Sequence, residues 1–113
     1  ANFFIDTHER YLRMMDSYRS FNGICPAKWV INIRGRYRRK AADFLKKNIE
    51  EEAIISFKHS KEGWFHDTEE MLSELSMDYV LIWVEDHINI GGATYLREVV
   101  AMIAYLPKFI FIR

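Results

Sequence analysis

Two hydrophobic spacings alternate along this chain. Short, nearly continuous apolar runs predict five strands, at residues 2–6, 28–34, 53–58, 79–84 and 109–112. Between these runs, apolar side chains recur every three or four residues, which predicts four helices, at residues 8–21, 37–49, 67–77 and 94–105. Asp6 or Thr7 is the expected cap of the first helix and Asp67 that of the third, because short side chains with an acceptor oxygen satisfy the free N–H groups of a first turn.

The alternation of strands and helices predicts the fold class. Short connections between alternating elements favour right-handed crossovers and a mostly parallel sheet, and strands that are apolar on both sides are typical of a sheet covered by helices on both faces. The expected structure is therefore α/β, a three-layer Rossmann-like sandwich of about five strands and four helices in one domain over residues 1–113. Two placements stay open: the first strand could be too short to pair, and the last could be an antiparallel edge.

Composition narrows the functional classes. With 113 residues, half of them hydrophobic, the chain can bury roughly two thirds of its unfolded surface in one core. Basic and acidic residues number 16 each, so any anionic partner must be met by a local patch. The single cysteine excludes an internal disulfide, and no apolar run approaches the ~20 residues that span a bilayer. These features predict a soluble, cytoplasmic protein without a membrane span.

The candidate chemistry lies at residues 78–92, DYVLIWVEDHINIGG, where the predicted fourth strand runs into Glu85, Asp86 and His87. Ligands of open α/β sheets bind outside the carboxyl ends of the strands, where these side chains are expected. Two carboxylates and an imidazole suit Mn²⁺ or Mg²⁺, ions that take further ligands from substrate phosphates. The alternative is a solvated turn in which Asp86 or His87 hydrogen-bonds the nearby backbone.

The segment DYVLIWVEDH, followed by INIGGATYLREVV, resembles family 2-like glycosyltransferases with the GT-A fold, in which an apolar strand ends in an Asp-x-Asp motif and leads to a helix. Three further segments follow in the family's order. Residues 3–12, FFIDTHERYL, are similar to the first strand and its Pro-Thr-x-Asn-Arg loop, residues 29–35 to the second strand, and residues 59–64 to the loop before the third helix. The chain departs from the family at Asp6, at Ile33 with Arg34, and in the Glu-x-His form of the motif.

The resemblance implies a metal-dependent glycosyltransferase, or its donor-binding half, that binds a nucleotide-diphosphate sugar and transfers the sugar to an acceptor. Glu85, Asp86 and His87 would hold Mn²⁺ or Mg²⁺, with Asp86 also facing the donor. Thr7, Glu9 and Arg10 would lie beside the nucleotide. Arg34, Arg36 or Lys61 could meet phosphate oxygens, because cationic side chains recognise phosphate. The family's acceptor-binding half would follow this segment in a longer parent chain.

Two other functions stay open. A non-catalytic ligand-binding or assembly module of the same fold could form a homodimer through an apolar edge. Alternatively, residues 34–40, RGRYRRK, place five cations around one aromatic ring, a composition that suits nucleic-acid phosphates and stacked bases. A solvated helix face, balanced by the acidic residues 50–52, explains the same pattern without a ligand.

Overall fold

The described residues form three parallel strands and four helices. The computed structural model describes residues 1–21, 23–24, 26, 28–77, 79–103 and 105. In chain order the elements are β1 (Asn2–Phe4), α1 (His8–Ser20), β2 (Trp29–Arg34), α2 (Arg38–Asn48), β3 (Ala53–Ser56), α3 (Trp64–Ser73) and α4 (Gly92–Ile103). The strands pair in the order β1-β2-β3, with Phe3 opposite Ile33 and Val30 opposite Ile54. The α/β class, the parallel sheet and the four helices confirm the sequence prediction.

The main core lies on the sheet face that α1 and α2 cover. Alternate strand residues point to one face of a sheet, and here Phe3, Ile31 and Ile33 are completely buried. Met14 of α1 and Leu45 of α2 are buried in the same cluster. The three- and four-residue spacing of the helices and the two-residue spacing of the strands thus meet in one apolar layer.

The opposite face of the sheet is held by a buried amide. The Asn32 side chain is fully buried, and its Oδ1 accepts hydrogen bonds from the Lys58 N–H at 2.7 Å and the Ser56 hydroxyl at 3.1 Å. Its Nδ2 donates to Asn2 Oδ1 at 3.1 Å, and the Asn2 amide donates to Thr68 of α3 at 2.9 Å. Every polar atom of the Asn32 amide has a partner, so its burial carries little desolvation cost. This network ties α3 to β1.

The predicted fourth strand does not form. Residues 79–84 are described and contain no strand, and most of their apolar side chains are exposed. The reason lies at the outer edge of β1, where a fourth strand would pair. The Asn2 carbonyl accepts a hydrogen bond from Trp64 Nε1 at 3.1 Å, and the Phe4 carbonyl accepts one from Arg10 Nη1 at 3.0 Å. Side chains therefore occupy the acceptors that a strand would use. The predicted fifth strand lies outside the described residues.

The third helix starts earlier than its sequence pattern predicted. Gly63, with φ at 93°, adopts a left-handed conformation that favours glycine, and α3 begins at the next residue. Asp67 is consequently not a helix cap but a buried residue of the first turn. In contrast, Thr7 caps α1 as expected, since its hydroxyl accepts the Arg10 N–H at 3.2 Å. Among the described residues, every helix is too short or too polar to cross a bilayer.

Trp83 attaches the segment after α3 to the core. Its side chain is only 4% exposed, and its ring meets that of Phe3 edge to face, with centroids 4.6 Å apart. Its indole N–H donates to the Ser17 hydroxyl at 2.8 Å, and that hydroxyl in turn donates to the His87 carbonyl. Further along, the Asn89 N–H donates to the Ser20 hydroxyl at 2.8 Å. One buried ring and two serines of α1 thus position the residues that follow.

We expect Trp83→Ala to lower the free energy of unfolding by about 3–5 kcal/mol, because it leaves a cavity against Phe3 and removes the partner of Ser17. Urea unfolding followed by circular dichroism measures the change. Ile90→Ala is the matched control, since Ile90 is 97% exposed, and it should shift the free energy by less than about 0.5 kcal/mol. Equal effects of the two substitutions would contradict the role of Trp83 as the anchor.

Candidate functional site

The loops that follow the strands meet at one edge of the sheet. In parallel strands all carboxyl ends lie on the same side, and here the loop after β1 contacts the loop after β2 directly. The Ile5 carbonyl accepts the Tyr37 N–H at 2.9 Å, and Asp6 Oδ1 accepts the Arg36 N–H at 3.3 Å. Gly35, with φ at 94°, makes this approach possible, since a Cβ there would lie 2.5 Å from the Ile5 oxygen. Backbone and side-chain hydrogen bonds therefore hold the two loops together.

Arg10 brings the predicted nucleotide loop and the predicted metal motif together. Its guanidinium lies 3.8 Å from Glu85 Oε1 and 5.8 Å from the centre of the Phe4 ring. The Glu85 side chain is 16% exposed, whereas Arg10 is half exposed. These two residues, 75 positions apart in the chain, are therefore neighbours at the carboxyl end of β1. Their contact joins two segments that the sequence identified separately.

The other two motif residues form an exposed pair beside this contact. His87 Nδ1 lies 3.0 Å from Asp86 Oδ1, and the His87 N–H donates to the Val84 carbonyl at 3.2 Å, which closes a tight turn. Oxygen and nitrogen donors of this kind fit Mn²⁺ or Mg²⁺ by type. Glu85 is directed toward Arg10, so the three side chains are not gathered around one point.

Another trio in the described part of the chain does gather its ligand atoms. One atom each from His66, Asp67 and Glu70 lie within 4.8 Å of one another. His66 is already paired with Glu62 at 2.8 Å, and Glu70 with Lys58 at 2.8 Å. These contacts, from the turn before α3 and the loop after β3, account for the arrangement without a metal. The trio is nevertheless a suitable control for metal experiments.

The remaining predicted site residues differ in whether their side chains are already engaged in other interactions. The Thr7 hydroxyl is engaged as the cap of α1, and the Glu9 carboxylate accepts a hydrogen bond from Arg13 at 2.6 Å one helical turn away. Arg34 ends β2, with its guanidinium carbon 5.8 Å from the Phe4 ring centre. Lys61 is exposed in the turn after β3. Arg34 is thus close to the Arg10 side of the site, whereas Glu9 is held by its own helix.

Asp67 is a buried acidic residue at this edge. Its pattern in the sequence was interpreted as that of a helix cap, so its burial was not predicted. Asp67 is 1% exposed; its Oδ1 accepts the Ser60 N–H at 3.2 Å, and its Oδ2 is buried without a hydrogen-bond partner among the described residues. The Ser60 hydroxyl, its N–H, and the charges of Arg34 and His59 lower the pKa of Asp67, although burial acts in the opposite direction. Arg34 Nε is likewise buried and unpaired. The sequence feature that could have identified this buried residue is an acidic side chain three positions after the first residue of a helix that follows a glycine.

Comparisons of the chain with family models, with curated proteins and with solved structures find no match.

We expect Asp67→Asn to change how the stability of the fold depends on pH in the acidic range. A carboxylate whose folded pKa lies below its ordinary value of 3.8 stabilises the fold above that pH, and this contribution disappears as the pH falls through the folded pKa. The Tm of the variant should therefore be lower than that of the unmodified protein near pH 6, and the gap should narrow below about pH 4. Thermal unfolding across this range measures it. Asp43→Asn, at an exposed position of α2, should show no such convergence; a gap for Asp67→Asn that is independent of pH would contradict the assignment.

Proposed function

We propose that the carboxyl edge of the sheet binds a nucleotide-diphosphate sugar, and that the chain is the donor-binding portion, or the catalytic domain, of a metal-dependent glycosyltransferase. The observation that supports this most directly is the contact between Arg10 and Glu85. It joins the loop after β1 to the acidic motif at the edge where α/β sheets bind ligands. A Rossmann-like sandwich of the GT-A type is part of the same proposal.

Arg10 and Arg34 are the proposed partners of the diphosphate. Guanidinium groups bind phosphate oxygens through paired, charge-assisted hydrogen bonds. The Arg10 contact with Glu85 is long, at 3.8 Å, and half exposed, so breaking it costs about 1 kcal/mol or less. Arg10 can therefore exchange Glu85 for phosphate. Lys61, exposed after β3, is a further candidate to bind phosphate as a point charge.

Glu85, Asp86 and His87 are the proposed holders of Mn²⁺ or Mg²⁺. Such a cation stabilises the negative charge that develops on a diphosphate leaving group. Without ligands, Arg10 compensates the charge of Glu85. When phosphate draws Arg10 away, Glu85 becomes available to the cation beside Asp86 and His87. This exchange makes donor and metal binding mutually favourable.

The test is isothermal titration with uridine diphosphate and other nucleoside diphosphates, with and without Mn²⁺. We expect binding that requires the cation and falls by about 100-fold or more in Glu85→Gln/His87→Ala, because two of the three proposed ligands are removed. His66→Ala/Glu70→Gln is the matched control, since it removes the same two residue types from the trio on α3.

Two outcomes would contradict the proposal. If no nucleotide binds to a sample whose folding is confirmed by circular dichroism, the carboxyl edge is not a donor site. If the α3 control loses cation-dependent binding and the Glu85 variant retains it, the cation is held on α3 and the motif has another role.

A further inference from the structure

Four exposed cations at the start of α2 form a basic surface, defined here as Arg36, Arg38, Arg39 and Lys40. In the described part of the chain, no carboxylate lies within ion-pair distance of any of them, whereas Arg13 and Arg19 of α1 each pair with an acid of their own helix. Two carboxylates lie nearby, Asp6 in the loop after β1 and Asp43 on α2 itself. Asp6 accepts the Arg36 backbone N–H, and Asp43 follows Arg39 by one turn. The positive charge of the surface is therefore largely uncompensated.

The acidic run after α2 does not neutralise the basic surface. Glu51 accepts a hydrogen bond from Trp29 Nε1 at 3.1 Å, and Glu52 pairs with Lys28 at 2.9 Å, both at the amino end of the sheet. The basic surface lies at the carboxyl end of β2. The acidic run is close to the cations in sequence but not in the folded chain. Charge neutralisation between the two segments therefore does not explain the cations.

Helix electrostatics does not explain the basic surface either. Cations in a first turn repel one another and the positive end of the helix dipole, whereas cations in a last turn are stabilised by it. Lys46 and Lys47, in the last turn of α2, have that structural explanation. Arg38 and Arg39 do not, because the first turn contains no acid and Tyr37 provides no capping side chain. Their charge is an unfavourable feature of the isolated helix.

Three aromatic rings lie directly beside these cations. His8, Tyr11 and Tyr37 have ring centres 5.9 to 6.5 Å apart and planes within 20° to 31° of parallel. Lys40 Nζ lies 4.7 Å from the centre of the Tyr11 ring. His8 is exposed and Tyr37 half-buried, so both present surface to a ligand.

We propose that the basic surface, with His8 and Tyr37, binds single-stranded nucleic acid. The cations contact backbone phosphates, and unpaired bases stack on the aromatic rings, a combination that suits single strands better than a duplex whose bases are already stacked. Since the whole chain has no net charge, this local surface supplies the attraction. The proposal is independent of glycosyl transfer and does not use Arg34.

The test is fluorescence anisotropy with a labelled oligouridylate of about twelve nucleotides, at salt concentrations from about 50 to 200 mM. We expect Arg38→Gln/Arg39→Gln to weaken binding by about tenfold near 100 mM salt and to reduce the salt slope by about 1.4, the value for two lost phosphate contacts. Lys46→Gln/Lys47→Gln removes the same charge from the other end of α2 and should change neither. His8→Ala should weaken binding without changing the slope, because stacking releases no counterions.

Several results would overturn the proposal. These are absent binding at low salt, equal losses in the two double variants, or tighter binding of a duplex or of anionic lipid vesicles than of the single strand. All substituted side chains are exposed, and Tm values measured in parallel establish that each variant is folded.

Discussion

The packing of Trp83 on Phe3 is the contact on which the arrangement of the site depends. The described residues after α3, 74–77, 79–103 and 105, form no strand, so backbone pairing with the sheet does not position them. One buried indole does so instead, through its edge-to-face contact and its hydrogen bond to Ser17. Because Glu85 follows Trp83 by two residues, the position of the acidic motif beside Arg10 is a consequence of this burial. The Trp83 side chain, rather than strand pairing, thus fixes the position of this segment.

Charge compensation determines what the strand ends can do. Arg10 donates to the Phe4 carbonyl and approaches Glu85, so one guanidinium both occupies the open edge of β1 and neutralises the motif. Arg34 and the buried Asp67 provide opposite charges at the end of β2. In the second arrangement, Arg34 Nε and Asp67 Oδ2 are buried without hydrogen-bond partners among the described residues. The proposed ligand would complete the hydrogen bonding of such groups.

Local patterns predicted most of the fold, because the formation of a helix or strand depends largely on residues that are close in sequence. The strand and helix spacings located three strands and four helices, and Thr7 was one of the two caps, with Asp6, that side-chain chemistry offered for the first helix. Residues 79–84 were different: an apolar run indicates burial but not that Trp64 and Arg10 occupy the available edge. Asp67 was misinterpreted because its burial depends on the loop containing Ser60. Similarly, only the folded chain separates Glu51 and Glu52 from the basic surface. Contacts between residues that are far apart in the chain cannot be predicted from the spacing of apolar residues within one segment.

The central claim is that one ligand site spans the loop after β1, the end of β2 and the motif after Trp83. A two-dimensional ¹H–¹⁵N NMR titration with uridine diphosphate and Mg²⁺ tests this directly, because it reports each backbone amide separately. The account predicts that the largest shifts lie together at residues 7–10, 34–35 and 85–87. Shifts concentrated at the amino ends of the strands, around residues 28–29 and 51–53, or confined to α3, would contradict it.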